Sequence, residues 1–143
     1  MKRYLGLDLG IKSLGIAVSD KTNTLATPVE TFSFAKEDYD SALKKVEELV
    51  KTYAITDIIL GLPKNMDNSL GFAAKRSIHF KTKLEKSIDN VEVHLFDERL
   101  STVEALNILK ENNVKKINKK NVVDTVSANI ILENYLRGLK NNE

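Results

Sequence analysis

The first twenty residues constrain the fold most, because they place one carboxylate inside an otherwise apolar strand. The segment reads MKRYLGLDLGIKSLGIAVSD, with Asp8 between two leucines. Gly10 to Ser13 are typical of a tight turn, and the apolar run after it predicts a second, antiparallel strand. A buried carboxylate costs free energy unless a partner compensates its charge. A metal ion is the most productive partner, so this segment indicates chemistry on phosphates.

Composition narrows the class of protein. The 143 residues are 42% hydrophobic and 29% charged, which predicts one domain, spanning 1–143, with a sizeable core. No apolar run reaches the roughly 18 residues of a membrane span. The apolar stretch before Asp8 is also too short for a signal peptide. We therefore expect a cytoplasmic protein with no membrane partner.

The residue types exclude several kinds of site. The chain has no cysteine and only two histidines, which excludes a disulfide framework, a thiolate nucleophile and a cysteine-type zinc site. Any metal should be a hard cation held by oxygen, that is, Mg²⁺ or Mn²⁺. The net charge of +2 permits a local basic patch without proving nucleic-acid binding.

The hydrophobic pattern predicts an α/β sheet with helices on both faces. The predicted strands are 3–9, 14–20, 25–34, 57–62 and 91–96, the first three as an antiparallel meander. The predicted helices are 39–53, 69–87 with Phe72 along its length, one from Ser101 with a capping box to Glu104, and 121–137 ending at Gly138.

Three acidic positions stand out: Asp8, the pair Asp97 and Glu98 at the end of the fifth strand, and Asp124 in the first turn of the last helix. They meet at one end of the sheet if the first and fifth strands are close. Because side chains alternate along a strand, Asp97 and Glu98 cannot both point into one pocket. The pattern leaves open which of the two is a ligand.

Each position also has a purely structural interpretation. Asp124 could stabilise a helix N-terminus, and Asp97 with Glu98 could be a polar strand exit. Asp8 fits such an interpretation least. Gathered carboxylates suit two Mg²⁺ or Mn²⁺ ions about 4 Å apart, which activate water and stabilise the leaving oxygen of a phosphodiester.

Four motifs together resemble one known family. They are LDLGxKSxGxA at 7–17, GLPxNMD at 61–67, DERLSTxEA at 97–105 and DxxSA at 124–128. In this order they are similar to the YqgF family, described as pre-16S rRNA nucleases or Holliday-junction-resolvase-like proteins. The first motif also occurs in sugar kinases and actin-like ATPases, whereas DERLST together with GLP is much more specific.

The resemblance implies an RNase H-like fold: a five-stranded mixed sheet in the order 3-2-1-4-5 with helices on both faces. It also implies a metal-dependent nuclease site in which Asp8, Glu98 and Asp124 are the catalytic and metal-binding residues. The implied substrate is the 5′ end of pre-16S rRNA, and the older family description implies branched DNA.

Several polar residues near these positions suit a cleft that handles phosphates. The candidates for phosphate or nucleic-acid binding are Lys12, Ser13, Lys64, Asn65, Arg99, Lys119 and Lys120. Lysine contacts of this kind are largely independent of sequence and sensitive to salt. Each residue could instead be ordinary loop polarity or one side of a salt bridge.

The sequence therefore predicts a metal-dependent endonuclease that processes structured RNA. One alternative is the same chemistry on branched DNA, for which a resolvase needs two active sites. Another is a ribosome-assembly factor that binds nucleic acid without turnover. An actin-like phosphotransferase needs a second nucleotide-binding half, which 143 residues are too few to supply. Whether the protein is a monomer or a homodimer stays open.

Overall fold

A computed structural model describes residues 1–65, 67, 69–97 and 119–141. The strands are β1 (Tyr4–Leu9), β2 (Ser13–Ser19), β3 (Ala26–Ser33), β4 (Asp57–Leu62) and β5 (Glu92–Asp97). The helices are α1 (Tyr39–Tyr53), α2 (Phe72–Ser87) and α3 (Lys119–Asn141). The five strands form one sheet in the order β3-β2-β1-β4-β5, which confirms the predicted fold.

The strand register brings three strand ends to one edge of the sheet. β1 runs antiparallel to β2, with Asp8 opposite Gly15. β1, β4 and β5 run parallel to one another, with Leu7 opposite Leu60 and Leu62 opposite Asp97. The carboxyl ends of these three strands therefore lie side by side, at the edge where open α/β sheets bind ligands.

The alternation of side chains divides the core into two layers. Leu5 and Leu7 lie on the face covered by α1 and α2, in a cluster that includes Val46 and Phe80. Tyr4 and its neighbours lie on the opposite face in a second cluster with Ala17, Ile59, Ala128 and Leu132. Helix α3 supplies the helical side of this second cluster, so helices cover both faces as predicted.

Helix α2 begins three residues later than the predicted start at Ser69. The Asp67 carboxylate accepts hydrogen bonds from the Ser69 backbone N–H at 3.0 Å and from the Ser69 hydroxyl at 2.6 Å. This turn competes with helix formation. Gly71 then occupies the N-cap without a side-chain cap. Phe72, placed along the predicted helix, is its first residue and is 89% exposed.

Helix α3 is longer at both ends than the predicted 121–137. Gly138 lies inside the helix rather than ending it, and no glycine has a positive φ in the part that the structure describes. Asp124 is therefore the sixth residue of α3 and not in its first turn. The predicted helix from Ser101 lies outside the described residues. Among the described helices, none is long and apolar enough to cross a membrane.

Candidate nuclease site

Asp8 lies near the carboxyl end of β1 and is half-buried. Its alternation with Tyr4 and Gly6 places it on the sheet face that α3 covers. The pairing of Leu7 with Leu60 puts Asp8 level with Gly61 of β4. A carboxylate thus lies near the carboxyl end of the middle strand of five, at the end of the sheet where open α/β sheets usually bind ligands.

Helix α3 comes very close to β1 just before Asp8. A Cβ atom on Gly6 would lie 2.8 Å from the Leu132 Cβ and 2.9 Å from the Ala128 carbonyl oxygen. The Tyr4 and Tyr135 rings are 5.9 Å apart. Since later helix residues contact earlier strand residues, α3 runs antiparallel to β1. Its amino-terminal half extends toward the edge of the sheet that carries Asp8.

Asp124 lies one helical turn before Ala128 in α3. Residues four apart share a helix face, so its helix position continues the row formed by Ala128 and Leu132. Because Asp124 stands beyond the first turn, its interpretation as a helix cap or dipole partner loses its basis. The side chain of Asp124 lies outside the described residues.

Asp97 is the last residue of β5 and pairs with Leu62. It shares its sheet face with Leu95 and Val93, which pack in the cluster under α1 and α2. Asp97 and Asp8 are therefore on opposite faces of the sheet. Glu98 and Arg99 lie outside the described residues, so their predicted roles stay predictions.

The β1–β2 turn carries Lys12 and Ser13 at the same edge. It is closed by a 2.8 Å hydrogen bond from the Gly10 N–H to the Ser13 carbonyl, and Phe34 donates its N–H to the Lys12 carbonyl at 2.8 Å. Ser13 is buried and shares the Asp8 face of β2, whereas Lys12 is exposed. Two backbone hydrogen bonds thus stabilise the turn, and the side chain of Lys12 is exposed to solvent.

The loop after β4 holds Lys64 and Asn65. The Asn65 amide donates to the Ser69 hydroxyl at 2.9 Å, within the same turn that delays α2. Lys64 is half-buried and follows directly from the strand end. Lys119 and Lys120, predicted to precede the last helix, form its first turn instead. Their side chains lie outside the described residues.

The structure also brings together a group that sequence reasoning missed, at the other end of the same face. Asp57, Glu92 and His94 have possible ligand atoms within 4.8 Å of one another and could hold a metal ion. Asp57 begins β4 and pairs with Glu92, the first residue of β5. Four strand residues, about 13 Å, separate this group from the level of Asp8. The signal available in the sequence was an acidic residue starting each of two parallel strands.

Asp57 already has partners within the protein. Its carboxylate accepts a hydrogen bond from the Thr56 hydroxyl at 2.6 Å and lies 3.0 Å from the His94 Nε2 and 3.3 Å from the Lys2 ammonium. Burial raises the pKa of Asp57, but the hydrogen bonds from Thr56, His94 and Lys2 outweigh it and hold this pKa below its ordinary value. The Lys2 ammonium would compete with any cation here.

Comparisons with known proteins identify the family of this chain. The family model described as "RuvX: Holliday junction resolvase" matches residues 2–138. A protein of Onion yellows phytoplasma named "Putative pre-16S rRNA nuclease" is 46% identical over 136 residues, which are 95% of this chain and 89% of that protein. A protein of the same name from Staphylococcus epidermidis is 37% identical over 96% of this chain and 97% of its own length.

Solved structures show the same fold at low sequence identity. RuvC of T. thermophilus in complex with a Holliday junction substrate superposes with a TM-score of 0.59 at 14% identity, covering 96% of each chain. The Holliday junction resolvase of fowlpox virus has a TM-score of 0.56 at 17% identity, covering 95% of this chain and 99% of its own. The fold of the present chain is thus that of the RNase H-like resolvases. By the family model and the curated relatives, this chain belongs to the RuvX family, for which YqgF is the other name.

Proposed function

We propose that this protein is a metal-dependent endonuclease that processes the 5′ end of pre-16S rRNA in the cytoplasm. The observation that carries the proposal is Asp8, a carboxylate inside an apolar strand that ends at the ligand-binding edge of the sheet. The names of the relatives supply the nuclease class and the rRNA substrate.

The acidic residues of the proposed site are Asp8, Glu98 and Asp124. Alternation in β5 puts Asp97 on the wrong face, and one further residue of the same alternation would bring Glu98 to the Asp8 face. The antiparallel course of α3 past Gly6 supports a contribution from Asp124. All three donors are carboxylates, which suits Mg²⁺ or Mn²⁺.

Two such ions, when bound, supply charge that activates water and stabilises the leaving oxygen of a phosphodiester. The residues of the chain would hold the ions and position the phosphate backbone. The strand interior fixes the direction of the Asp8 carboxylate, because its flanking leucines are buried in the opposite layer. The exposed ammonium of Lys12 and the half-buried Lys64 border the same edge and would attract the phosphate backbone, as would Arg99, Lys119 and Lys120.

The decisive experiment is cleavage of a pre-16S rRNA fragment by the purified Asp8→Asn protein in Mg²⁺ or Mn²⁺. Loss of even an outer-shell partner of a metal typically costs about 10–100-fold, so loss of a ligand should reduce cleavage by at least about 100-fold. Asp89→Asn is the matched control, because Asp89 is exposed in the α2–β5 connection. Undiminished cleavage by folded Asp8→Asn would contradict the proposal.

A second pair of variants tests the choice within the Asp-Glu dipeptide. Glu98→Gln should lose cleavage as Asp8→Asn does, whereas Asp97→Asn should keep most of it, because Asp97 faces the layer under α1 and α2. The reverse ranking would refute the assignment of Glu98.

Branched DNA is the second candidate substrate, favoured by the description of the family model and by the resolvase fold. Side-by-side cleavage of a four-way junction and the rRNA fragment separates the two. A resolvase also needs two sites facing the exchanging strands, so a protein that is monomeric by light scattering would count against it. Binding in EDTA without cleavage in any divalent metal would favour an assembly factor without turnover.

A further inference from the structure

A basic hollow lies at the end of the sheet away from Asp8. It has a volume of about 500 Å³, and its lining includes Arg3, Asp20, Lys21, Pro28 and Tyr53. A neighbouring hollow of about 310 Å³ shares Arg3, Lys21 and Tyr53 with it. We call the two together the Arg3–Tyr53 hollow. Five strand residues, about 17 Å, separate Arg3 from Asp8 along β1, so this is not part of the proposed nuclease site.

The hollow offers cationic groups that the described residues do not neutralise. Arg3 uses its Nε to donate to the Ser19 carbonyl at 3.2 Å, which leaves the two terminal nitrogens of its guanidinium for other acceptors. Lys21 is exposed and forms no ion pair with the described residues. Such a pair of cations favours an anion with several acceptor oxygens, of which phosphate is the best match.

Among the residues that the structure describes, Asp20 is the one carboxylate in the lining of the 500 Å³ hollow, and it accepts hydrogen bonds within its own turn. Asp20 accepts hydrogen bonds from the backbone N–H of Thr24 at 2.9 Å and from the hydroxyl of Thr22 at 3.1 Å. The Thr24 backbone bond, followed by the other donors of the turn, holds the pKa of Asp20 below its ordinary value. Asp20 therefore stays ionised, but the two cations Arg3 and Lys21 outnumber this one carboxylate, so the hollow remains net positive.

The remaining surface suits a flat aromatic group. Tyr53 is half-buried at the end of α1, and the Arg3 guanidinium lies 5.3 Å from its ring centroid. The exposed Pro28 also lines the hollow. Bases stack on aromatic rings and on guanidinium planes, and a volume of 500 Å³ falls within the usual range of ligand pockets, about 300–1,000 Å³.

We propose that the Arg3–Tyr53 hollow binds a nucleoside phosphate, with the base against Tyr53 and Arg3 and the phosphate on Lys21. The nucleotide is either free or part of an RNA strand, because both present the same chemistry. The site is independent of cleavage, so it stands or falls separately from the proposed nuclease function.

The test is a ¹⁵N–¹H NMR titration of the full chain carrying Asp8→Asn, in EDTA, so that cleavage plays no part. AMP should shift the backbone amides of Lys21, Thr27 and Tyr53 and reach saturation. Ribose 5-phosphate should bind about tenfold more weakly, because it has no base to stack. A 5′-phosphorylated RNA tetranucleotide that binds more than tenfold tighter than AMP assigns the site to a strand, and equal binding assigns it to a free nucleotide.

Lys21→Glu should weaken AMP binding about tenfold, because it replaces the phosphate partner with a like charge. Lys86→Glu is the charge-matched control at an exposed position on α2 and should leave AMP binding unchanged. Any one of three results would overturn the proposal: no saturable shift at these amides, equal affinity for ribose 5-phosphate and AMP, or equal weakening of AMP binding by the two lysine variants.

Discussion

Gly6→Ala tests how closely α3 must approach the sheet. The added Cβ would meet the Leu132 Cβ at 2.8 Å and the Ala128 carbonyl oxygen at 2.9 Å, whereas ordinary contacts begin at 3.4 Å. The shortfall is therefore 3.4 − 2.8 = 0.6 Å. Neither atom belongs to the flexible end of a side chain, so the helix itself must move. Overpacking of this kind costs about 1–3 kcal/mol.

Part of that cost is offset in the unfolded state. Gly6 does not have a positive φ, so alanine can adopt its conformation and reduces the unfolded-chain entropy, a gain of about 0.4–1 kcal/mol. We expect a net destabilisation of about 1–2 kcal/mol, or roughly 3–6 °C in Tm at this chain length. Urea unfolding and a thermal scan measure both quantities.

Gly138→Ala is the matched control within the same helix. A Cβ at this position would meet nothing within 4 Å, so alanine should raise stability by about 0.5–1 kcal/mol through its higher helix propensity. The same substitution should thus have opposite signs at the two glycines. A Gly6→Ala protein as stable as the wild type would mean that α3 does not rest on β1 as the structure has it.

Truncation of Leu132 should not rescue Gly6→Ala. Leu132→Ala keeps the Cβ that clashes, and the Ala128 carbonyl belongs to the backbone. The double variant should therefore be destabilised by nearly the sum of the two single changes, and rescue by more than about 1 kcal/mol would refute this account of the contact. Since α3 also carries Asp124, we expect Gly6→Ala to slow cleavage by about tenfold or more while folded, as small misplacements of reacting groups do.

Three further perturbations test other parts of the structure. Asp57→Asn should weaken the dependence of the free energy of unfolding on pH in the acid range. The pKa of Asp57 is lowered in the folded protein, so its carboxylate stabilises the fold above the unfolded-state pKa of about 3.9. This contribution disappears as the pH falls through the folded-state pKa. Urea unfolding between pH 3 and 7 would measure it. Phe80→Ala should lower the free energy of unfolding by about 3–5 kcal/mol, whereas Phe72→Ala should lower it by less than about 0.5 kcal/mol. The reason is that Phe80 is 1% exposed and Phe72 is 89% exposed. Chemical denaturation of the two variants measures this difference. Mg²⁺ at about 100 times its Kd should stabilise the wild type by about 2.7 kcal/mol in thermal scans and stabilise Asp8→Asn much less.

The sheet could be predicted largely because its strands obey simple alternation. In β1 the odd positions pack under α1 and α2, and the even positions face α3. The strand order itself came with the family resemblance, since no local pattern states which distant strands pair. The start of α2 could not be predicted from periodicity, because the Asp67–Ser69 turn competes with the helix through hydrogen bonds that the apolar pattern does not contain.

The group at Asp57, Glu92 and His94 shows a different limit. Its members belong to β4 and β5, two strands separated by the whole of α2, and only the pairing of Asp57 with Glu92 brings them together. A lone histidine reads as a surface or sheet-packing residue. The structure shows His94 both beside Asp57 at 3.0 Å and against the Tyr135 ring at 5.6 Å. Such a group depends on register, which short-range patterns do not encode.

Register also sharpens the choice that alternation alone leaves open between Asp97 and Glu98. Alternation says that the two side chains point to opposite faces, but it does not say which face carries Asp8. Asp97 pairs with Leu62 and therefore lies on the same sheet face as Leu60. Gly6 contacts α3, so Asp8, two residues later in β1, lies on the opposite face. Asp97 and Asp8 therefore lie on opposite faces of the sheet. At the Asp8 end of the sheet, the described part of β5 therefore does not offer a second carboxylate on the Asp8 face, which is why the proposed metal-binding role goes to Glu98, the next residue in the sequence.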